Sequence, residues 1–198
     1  MPALVLVLLC TFAYTLMAKA QHSPYMPPLK TVLTFNIRNA TTDDGEADFA
    51  DVVRTIQQTD ADFIALQELD SVTHRSKGKD VLRELAILSR YYPTYGSSID
   101  YDGGKYGLGI LSKQKPLTVR KVSLPGREEA RVMLVAEFQD IVLACTHLSL
   151  TAEDRMESAQ IILSEAQRSA KPFLLALLLF IWLIFGGYWL VKGVTTVL

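Results

Sequence analysis

The chain has 198 residues, of which 49% are hydrophobic, and its 20 Lys and Arg against 21 Asp and Glu give a formal net charge of −1. This length suffices for one domain and not comfortably for two. A nearly neutral chain has no overall positive field, which argues against a dedicated DNA-packaging or architectural protein. It does not exclude an enzyme that holds a phosphodiester in a metal-lined cleft.

The chain begins with an apolar stretch, residues 3–18, that contains no charged residue. Ala18 and Ala20 are small residues at the two positions that signal peptidase reads, which predicts a cleaved signal peptide over residues 1–20. Because no Lys or Arg precedes the stretch, a retained N-terminal anchor is the alternative interpretation. Either interpretation indicates an exported protein, in which residues 21–28 form a proline-containing linker.

The middle of the chain combines strand and helix patterns. In chain order they predict a strand, an amphipathic helix, a short strand, a helix capped by Asp80, five short strands and a helix opened by a capping box. The corresponding residues are 31–37, 47–58, 63–66, 80–89, roughly 94–100, 106–112, 117–123, 131–138, 140–146, and 151–168. A β-α-β-α order followed by hairpin-linked strands and a helix predicts an α/β domain with a mixed sheet.

A second apolar stretch lies near the C-terminus, where residues 172–191 contain no charged residue. A helix of this length spans about 30 Å, the thickness of the hydrocarbon core of a membrane. A buried core helix would normally show a polar face, which this stretch lacks. The sequence therefore predicts a transmembrane helix over residues 172–191, a tail over 192–198, and a membrane-associated protein. Without that helix, we expect a secreted or periplasmic protein.

Three polar residues, Asn36, Glu68 and His147, lie where an apolar strand meets a loop. Each has a simple alternative explanation: a turn, an exposed acid, and a hydrogen-bonded histidine at a strand end. In a layered α/β domain, however, strand ends converge on one rim, where sites form. A carboxylate binds Mg²⁺, an amide orients a phosphate oxygen or a water, and an imidazole moves protons. Together they indicate a site for a divalent cation and a phosphate.

Short motifs in chain order resemble those of the endonuclease/exonuclease/phosphatase superfamily, which includes deoxyribonuclease-like nucleases, sphingomyelinases and inositol phosphatases. The motifs are Thr-Phe-Asn-Ile-Arg at 34–38, Ile-Ala-Leu-Gln-Glu at 64–68, Tyr-Gly-Leu-Gly-Ile-Leu-Ser-Lys at 106–113, Glu-Ala-Arg at 129–131, Thr-His-Leu at 146–148, and Lys-Pro-Phe-Leu-Leu-Ala at 171–176. The resemblance delimits a domain over residues 29–176. It implies an α/β fold, a four-layer α/β sandwich in which two mixed β-sheets are flanked by helices.

The resemblance also implies a magnesium-dependent phosphoesterase, with Mn²⁺ as the other possible cation. By it, Glu68 is a metal ligand, and Asn36 helps to position both metal and phosphate as a further ligand and catalytic residue. His147 is the catalytic histidine beside the scissile phosphate. Tyr106 and Arg131 line the substrate pocket. The substrate is a phosphodiester or phosphomonoester in nucleic acid, a lipid head group or a sugar phosphate.

Two of these residues, and one basic loop, have structural alternatives. Tyr106 can serve strand packing, and Arg131 can form an ion pair with Glu128 or Glu129. The basic loop over residues 75–79 is either a solvated loop or a contact for a polyanion. Cys145 has no cysteine partner in the mature chain and lies in an apolar run, so we interpret it as a small buried hydrophobe rather than a catalytic thiol.

The sequence departs from the family pattern after Ala176. Where the family has Gly-Asp-x-Asn, residues 177–180 read Leu-Leu-Leu-Phe, and no later Asp-His pair occurs. These groups orient and deprotonate the attacking water in the family mechanism. The resemblance therefore implies a domain without its C-terminal third and a hydrolase with little or no activity. A membrane-anchored pseudoenzyme that binds phosphorylated ligands without cleaving them is the alternative.

Overall fold

The computed structural model describes residues 30–40, 49–178 and 196–197. The elements in chain order are β1 (Thr31–Asn36), a short turn (Arg38–Ala40), α1 (Phe49–Thr59), β2 (Phe63–Ser71), α2 (Val81–Ser89), β3 (Tyr92–Tyr101), β4 (Gly104–Ser112), β5 (Thr118–Leu124), β6 (Arg131–Glu137), β7 (Val142–His147), α3 (Ala152–Arg168), β8 (Phe173–Leu178) and β9 (Thr196–Val197). Most agree with the predicted elements to within a few residues, although β2 is five residues longer than predicted.

The strands form two sheets. The first has the strand order β3-β4-β2-β1-β9, and the second has the order β5-β6-β7-β8. In the first sheet β1 pairs with β2 in parallel, and in the second β7 pairs with β8 in parallel. The remaining described pairs are antiparallel. Both sheets are therefore mixed, as the resemblance implied.

The two sheets pack face to face through one buried apolar cluster. Phe63 of the first sheet packs at a tilt against Phe138, which directly follows β6 of the second sheet, with ring centroids 4.6 Å apart, and Ile110 and Leu134 are fully buried in the same cluster. Burying one such side chain contributes about 1.5–3 kcal/mol. The inner faces of the two sheets therefore form the central layer of the core.

Helices cover the outer faces of both sheets. Ile56 of α1 and Leu82 and Leu85 of α2 are buried against the first sheet, and Ile162 of α3 is buried against the second. Asp80 caps α2 as predicted, because its Oδ1 accepts a hydrogen bond of 3.2 Å from the Arg83 amide. The described architecture is helices, sheet, sheet, helix, which confirms the expected two mixed sheets flanked by helices.

The prediction of a transmembrane helix over residues 172–191 is wrong for Phe173–Leu178, which form β8. Leu174 and Ala176 face the cluster between the sheets, whereas Phe173 and Leu175 face the side covered by α3. A strand buried on both faces reads as a continuous apolar run, so its sequence does not separate it from a helix. Among the residues described here, no helix is long and apolar enough to span a membrane.

Three other predictions concern the apolar residues near the C-terminus, the N-terminal signal peptide or anchor, and the capping box at the start of α3. Residues 179–191 and the predicted signal peptide or anchor over residues 1–20 lie outside the described residues. The predicted capping box at the start of α3 is wrong, because Thr151 makes no side-chain cap hydrogen bond. Its hydroxyl instead donates to Glu128 Oε1 over 2.9 Å. The Thr151 hydroxyl thus binds a residue that is distant in sequence instead of a backbone N–H of its own helix.

Candidate functional site

The site begins where β1 ends at Asn36, beside the part of β2 that contains Gln67 and Glu68. Asn36 is in register with Gln67, so Glu68 follows at the same rim. The Asn36 amide nitrogen donates a hydrogen bond to Glu68 Oε1, and Asn36 Oδ1 accepts one of 2.8 Å from the Arg38 backbone N–H. Both ends of the Asn36 amide are engaged, and Asn36 therefore orients the Glu68 carboxylate.

The backbone at this rim is unusual on both strands. Glu68 has φ +60° and lies at a bulge where the register of β2 with β4 shifts. Arg38, Asn39 and Ala40 follow β1 with φ of 47°, 60° and 54°. A non-glycine residue in this region costs about 1–3 kcal/mol and persists where the surrounding structure enforces it. Such residues concentrate at functional sites, and the bulge re-aims the Glu68 side chain.

The second sheet reaches the same rim through Cys145 of β7. The Gln67 side-chain amide donates to Cys145 Sγ over 3.5 Å, and Sγ donates to the Leu66 carbonyl over 3.7 Å. These contacts place the ends of β2 and β7, which carry Glu68 and His147, on the same side of the sandwich. Burial raises the pKa of the Cys145 thiol to about 12, so the thiol is protonated. This confirms that Cys145 is a buried residue and not a nucleophile.

Arg131 and His147 lie together at the adjoining ends of β6 and β7. Arg131 Nη1 is 2.7 Å from Glu129 Oε1, so the expected ion pair is formed with Glu129. The Arg131 side chain is only 9% exposed, and its Nε has no hydrogen-bond partner. A buried donor without a partner is costly, so this N–H requires an acceptor that the described residues do not supply.

The surroundings of His147 keep its ring neutral. Burial, and after it the positive charge of Arg131, lower the pKa of His147 to about 4, while Glu129 opposes the shift. A neutral imidazole has one nitrogen that accepts a proton and one that donates a hydrogen bond. His147 is therefore unprotonated near neutral pH, and so low a pKa makes it a weak base.

This lowered pKa predicts that His147 makes folding stability depend on pH. The unfolded chain, with an ordinary histidine pKa of about 6.5, binds the proton more readily than the folded chain. The stabilisation is therefore complete above about pH 6.5 and is lost as the pH falls towards 4. Between pH 7.5 and 4.5 we expect the wild type to lose about 2–3 kcal/mol more than the His147→Gln variant in urea unfolding. Parallel pH curves for the two proteins would contradict the buried neutral histidine.

Tyr106 is influenced by charges from both groups of site residues, Glu68 on one side and Glu129 and Arg131 on the other. Burial raises the pKa of Tyr106, and the negative charges of Glu68 and Glu129 raise it further, while Arg75 and Arg131 oppose the shift. These influences place the Tyr106 hydroxyl among both groups of site residues, protonated and able to donate a hydrogen bond. The ring also packs on Tyr101 with centroids 5.9 Å apart, so strand packing and a place in the pocket are both found.

The residues present fit a magnesium ion that keeps most of its water. In the part of the chain that the structure describes, no group of three or more His, Cys, Asp or Glu is arranged to hold a metal. Mg²⁺ is commonly bound by one or two carboxylates together with waters and substrate phosphates. Glu68, whose carboxylate is hydrogen-bonded by Asn36, supplies the one carboxylate that such a magnesium site needs. The donor set does not fit zinc, which requires three or four protein ligands.

A hydrogen-bond network that the sequence did not reveal fixes the loops around His147. Ser149 Oγ lies 2.8 Å from Glu128 Oε2 and 3.1 Å from Asp154 Oδ2, and Asp154 Oδ2 also accepts the Arg127 backbone N–H over 2.9 Å. Several hydrogen bonds, chiefly the one from Ser149, lower the pKa of Glu128 to about 2. The segment before β6 is thereby tied to the segment after His147.

Of the basic loop over residues 75–79, Lys77, Gly78 and Lys79 are exposed, as expected for a solvated loop, whereas Arg75 differs from both interpretations. Arg75 turns inward and forms an ion pair with the buried Asp70 on β2. An open groove of about 710 Å³ lies beside this loop and is lined by Ser71, Val72 and residues 100–105. None of the five predicted site residues lines that groove. The rim that carries the five predicted site residues is therefore the candidate site, because its side chains are of the types that bind a divalent cation and a phosphate.

The comparisons with known proteins agree with this geometry. The model of the Endonuclease/Exonuclease/phosphatase family matches residues 33–177. Among curated proteins, none is similar enough to the chain to count as a match. An endonuclease/exonuclease/phosphatase from Beutenbergia cavernae DSM 12333 has a similar structure, with a TM-score of 0.58, 22% identity, and 69% of this chain and 44% of that chain covered.

Two further structures show the same fold. An endonuclease/exonuclease/phosphatase family protein from Leptotrichia buccalis C-1013-b gives a TM-score of 0.58 at 17% identity, covering 74% of this chain and 66% of that one. D. rerio TDP2, complexed with a single-strand DNA product, gives 0.55 at 19% identity, covering 76% and 60%. The chain thus spans 44–66% of the length of these proteins. At such identities the likeness shows the fold alone.

Proposed function

Because the chain belongs to the endonuclease/exonuclease/phosphatase family, we propose that it is a metal-dependent phosphoesterase whose hydrolytic activity is weak. The observation that carries this proposal is the neutral His147 beside Arg131, whose buried Nε lacks a partner, at the rim that also holds the Asn36–Glu68 pair. A buried guanidinium N–H requires an acceptor, which a phosphate oxygen is able to supply, and an unprotonated histidine is able to accept a proton from water.

In this proposal each residue of the rim has one task. Glu68 and Asn36 hold the Mg²⁺ or Mn²⁺ ion, which when bound neutralises negative charge on the phosphate. Arg131 donates a hydrogen bond to a phosphoryl oxygen, and the protonated Tyr106 hydroxyl donates another. His147 accepts a proton from the attacking water. The substrate is a phosphate ester.

Weak hydrolysis follows from the strand that neighbours β7. In register, His147 pairs with Leu178, and residues 177–180 read Leu-Leu-Leu-Phe, where the family pattern has Gly-Asp-x-Asn. By their sequence, residues 177–180 supply no carboxylate or amide that could orient the water. General-base catalysis by one positioned group contributes about 10²–10⁴-fold in rate. His147 is therefore expected to support slow turnover only.

The Glu68→Gln variant tests the proposed metal site. The full-length wild-type chain is expected to bind Mn²⁺ in a titration followed by electron paramagnetic resonance, and to hydrolyse bis(p-nitrophenyl) phosphate slowly when Mn²⁺ is present. Glutamine keeps the size of Glu68 but removes its charge, so we expect Mn²⁺ affinity to fall at least about tenfold. The matched control is Glu157→Gln, at an exposed position on α3. Equal Mn²⁺ affinity in wild type and Glu68→Gln would refute the assignment.

A second candidate is a phosphate-ester binding protein without turnover that is exported and associates with a membrane. The observation that favours it is the uncharged sequence that continues beyond β8, residues 179–191. As a helix, this remainder would measure about 20 Å, which is less than the 30 Å of the hydrocarbon core. Membrane contact through it would therefore be interfacial. A full chain that does not float with phospholipid vesicles on a density gradient would exclude this candidate.

A further inference from the structure

We propose that Arg75 is a positioning residue that holds Tyr106 and the turn after Asn36 in place around Glu68. The proposal rests on the proposed function, since it concerns the same rim. Arg75 belongs to the basic loop that the sequence indicated to be solvated. Its side chain instead forms the centre of a set of contacts that reaches both strands carrying the predicted metal ligands.

A buried carboxylate fixes the plane of the Arg75 guanidinium. Arg75 Nε is 2.6 Å from Asp70 Oδ2, and Nη2 is 2.8 Å from Asp70 Oδ1, which is a bidentate pair. The Asp70 side chain is fully buried, and its Oδ2 also accepts the Thr73 hydroxyl over 2.8 Å. Asp70 lies on β2 two residues beyond Glu68. A bidentate pair sets both distance and orientation, so Arg75 is held rigidly to the strand of Glu68.

The same guanidinium contacts the turn that follows Asn36. Arg75 Nη2 donates a hydrogen bond of 2.9 Å to Asn39 Oδ1. Asn39 is the middle residue of the three with positive φ, a conformation that persists only where neighbouring groups enforce it. Arg75 therefore supplies one of the contacts that keep this turn, and with it the backbone N–H that binds Asn36 Oδ1, in place.

Arg75 also packs against the two tyrosine rings. Its guanidinium carbon lies 4.5 Å from the centroid of Tyr101 and 5.5 Å from that of Tyr106. A guanidinium within about 6 Å of an aromatic ring is attracted to it. Tyr106 is thus held between Tyr101, Arg75 and its strand. Besides burial, the charges of Glu68 and Glu129 raise the pKa of the Tyr106 hydroxyl, which indicates that both carboxylates lie near it.

The Arg75→Lys variant tests whether Arg75 acts through its positive charge or through its geometry. Lysine keeps the positive charge that the buried Asp70 requires, but it has neither the planar fork nor the reach to bind Asp70 and Asn39 together. A role in positioning predicts that the Arg75→Lys variant is defective. A purely electrostatic role predicts that it is normal.

The experiment compares Arg75→Lys, Tyr106→Phe and the double variant in the full chain, with Mn²⁺ and bis(p-nitrophenyl) phosphate. We expect Arg75→Lys to lower kcat/KM by about 10- to 100-fold, because small misplacements of a positioning group have effects of this size. Mn²⁺ affinity is expected to stay within threefold. The double variant is expected to lose less than the product of the two single losses, because Arg75 acts in part through Tyr106.

Binding of inorganic phosphate in the presence of Mn²⁺, measured by calorimetry, gives the same comparison if turnover is too slow to follow. The control is Arg54→Lys, in an exposed ion pair with Asp51 on α1. An Arg75→Lys variant equal to wild type, or additive losses in the double variant, would overturn the proposal. If Glu68→Gln also leaves Mn²⁺ affinity unchanged, it is the proposed function that fails.

Discussion

Replacing Phe138 by alanine is expected to lower the free energy of unfolding by about 3–5 kcal/mol. Phe138 is 2% exposed and packs against Phe63 across the two sheets, with ring centroids 4.6 Å apart. Removing the ring leaves a cavity in the cluster between the sheets, where close packing prevents neighbouring side chains from filling it. Urea unfolding of the full chain, followed by circular dichroism, measures the loss.

The matched control for this prediction is Leu117→Ala. Leu117 is 59% exposed, and a surface substitution of this kind usually changes stability by less than about 0.5 kcal/mol. A Phe138→Ala variant that loses less than about 1 kcal/mol would show that the two sheets do not pack face to face in the way described.

The second large effect is expected from Gly107→Ala. A Cβ at position 107 would lie 2.1 Å from the Gly96 carbonyl oxygen and 2.9 Å from Ser97 Cα. Both atoms belong to the backbone of β3, so the clash cannot be relieved by rotating a side chain. Strand β3 would have to move away from β4, at a cost of about 3 kcal/mol or more. Because Tyr106 precedes this residue, we expect phosphate binding to be lost as well.

Gly78→Ala separates the effect of crowding from that of replacing a glycine. Gly78 has φ +72°, and an added Cβ would meet nothing within 4 Å. The expected cost is only that of a left-handed alanine, about 1–2 kcal/mol. Urea unfolding of both variants compares them directly. Equal losses would mean that β3 and β4 do not approach as closely at Gly107 as the structure shows.

Much of the candidate site was predictable because its residues end strands that are evident in the sequence. Asn36, Glu68 and His147 each terminate or interrupt an apolar run, and the strands of a layered domain converge at their ends. The structure brings these three together with Tyr106 and Arg131. Their catalytic and ligand roles stay predictions, which the variants proposed above address.

The partners of these residues were not predictable, because they come from distant parts of the chain. Nothing local distinguishes Arg75 from a solvated loop residue, since its partner Asp70 is buried only once β2 has packed. Likewise, Glu128 and Glu129 are adjacent and equally charged, but Glu129 pairs with Arg131 whereas Glu128 accepts Ser149. The direction in which a side chain points decides between them, and the fold sets that direction.

By itself, the sequence determined the order of strands and helices from β1 to α3, the α/β class, the family motifs, and the absence of Gly-Asp-x-Asn after Ala176. These features depend on local periodicity and on residue identity. Only the tertiary structure decided that Phe173–Leu178 are a strand, that Glu68 lies at a bulge, and that His147 is neutral. Each of these depends on what covers a residue, and burial is a property of the packed sheets rather than of a local sequence.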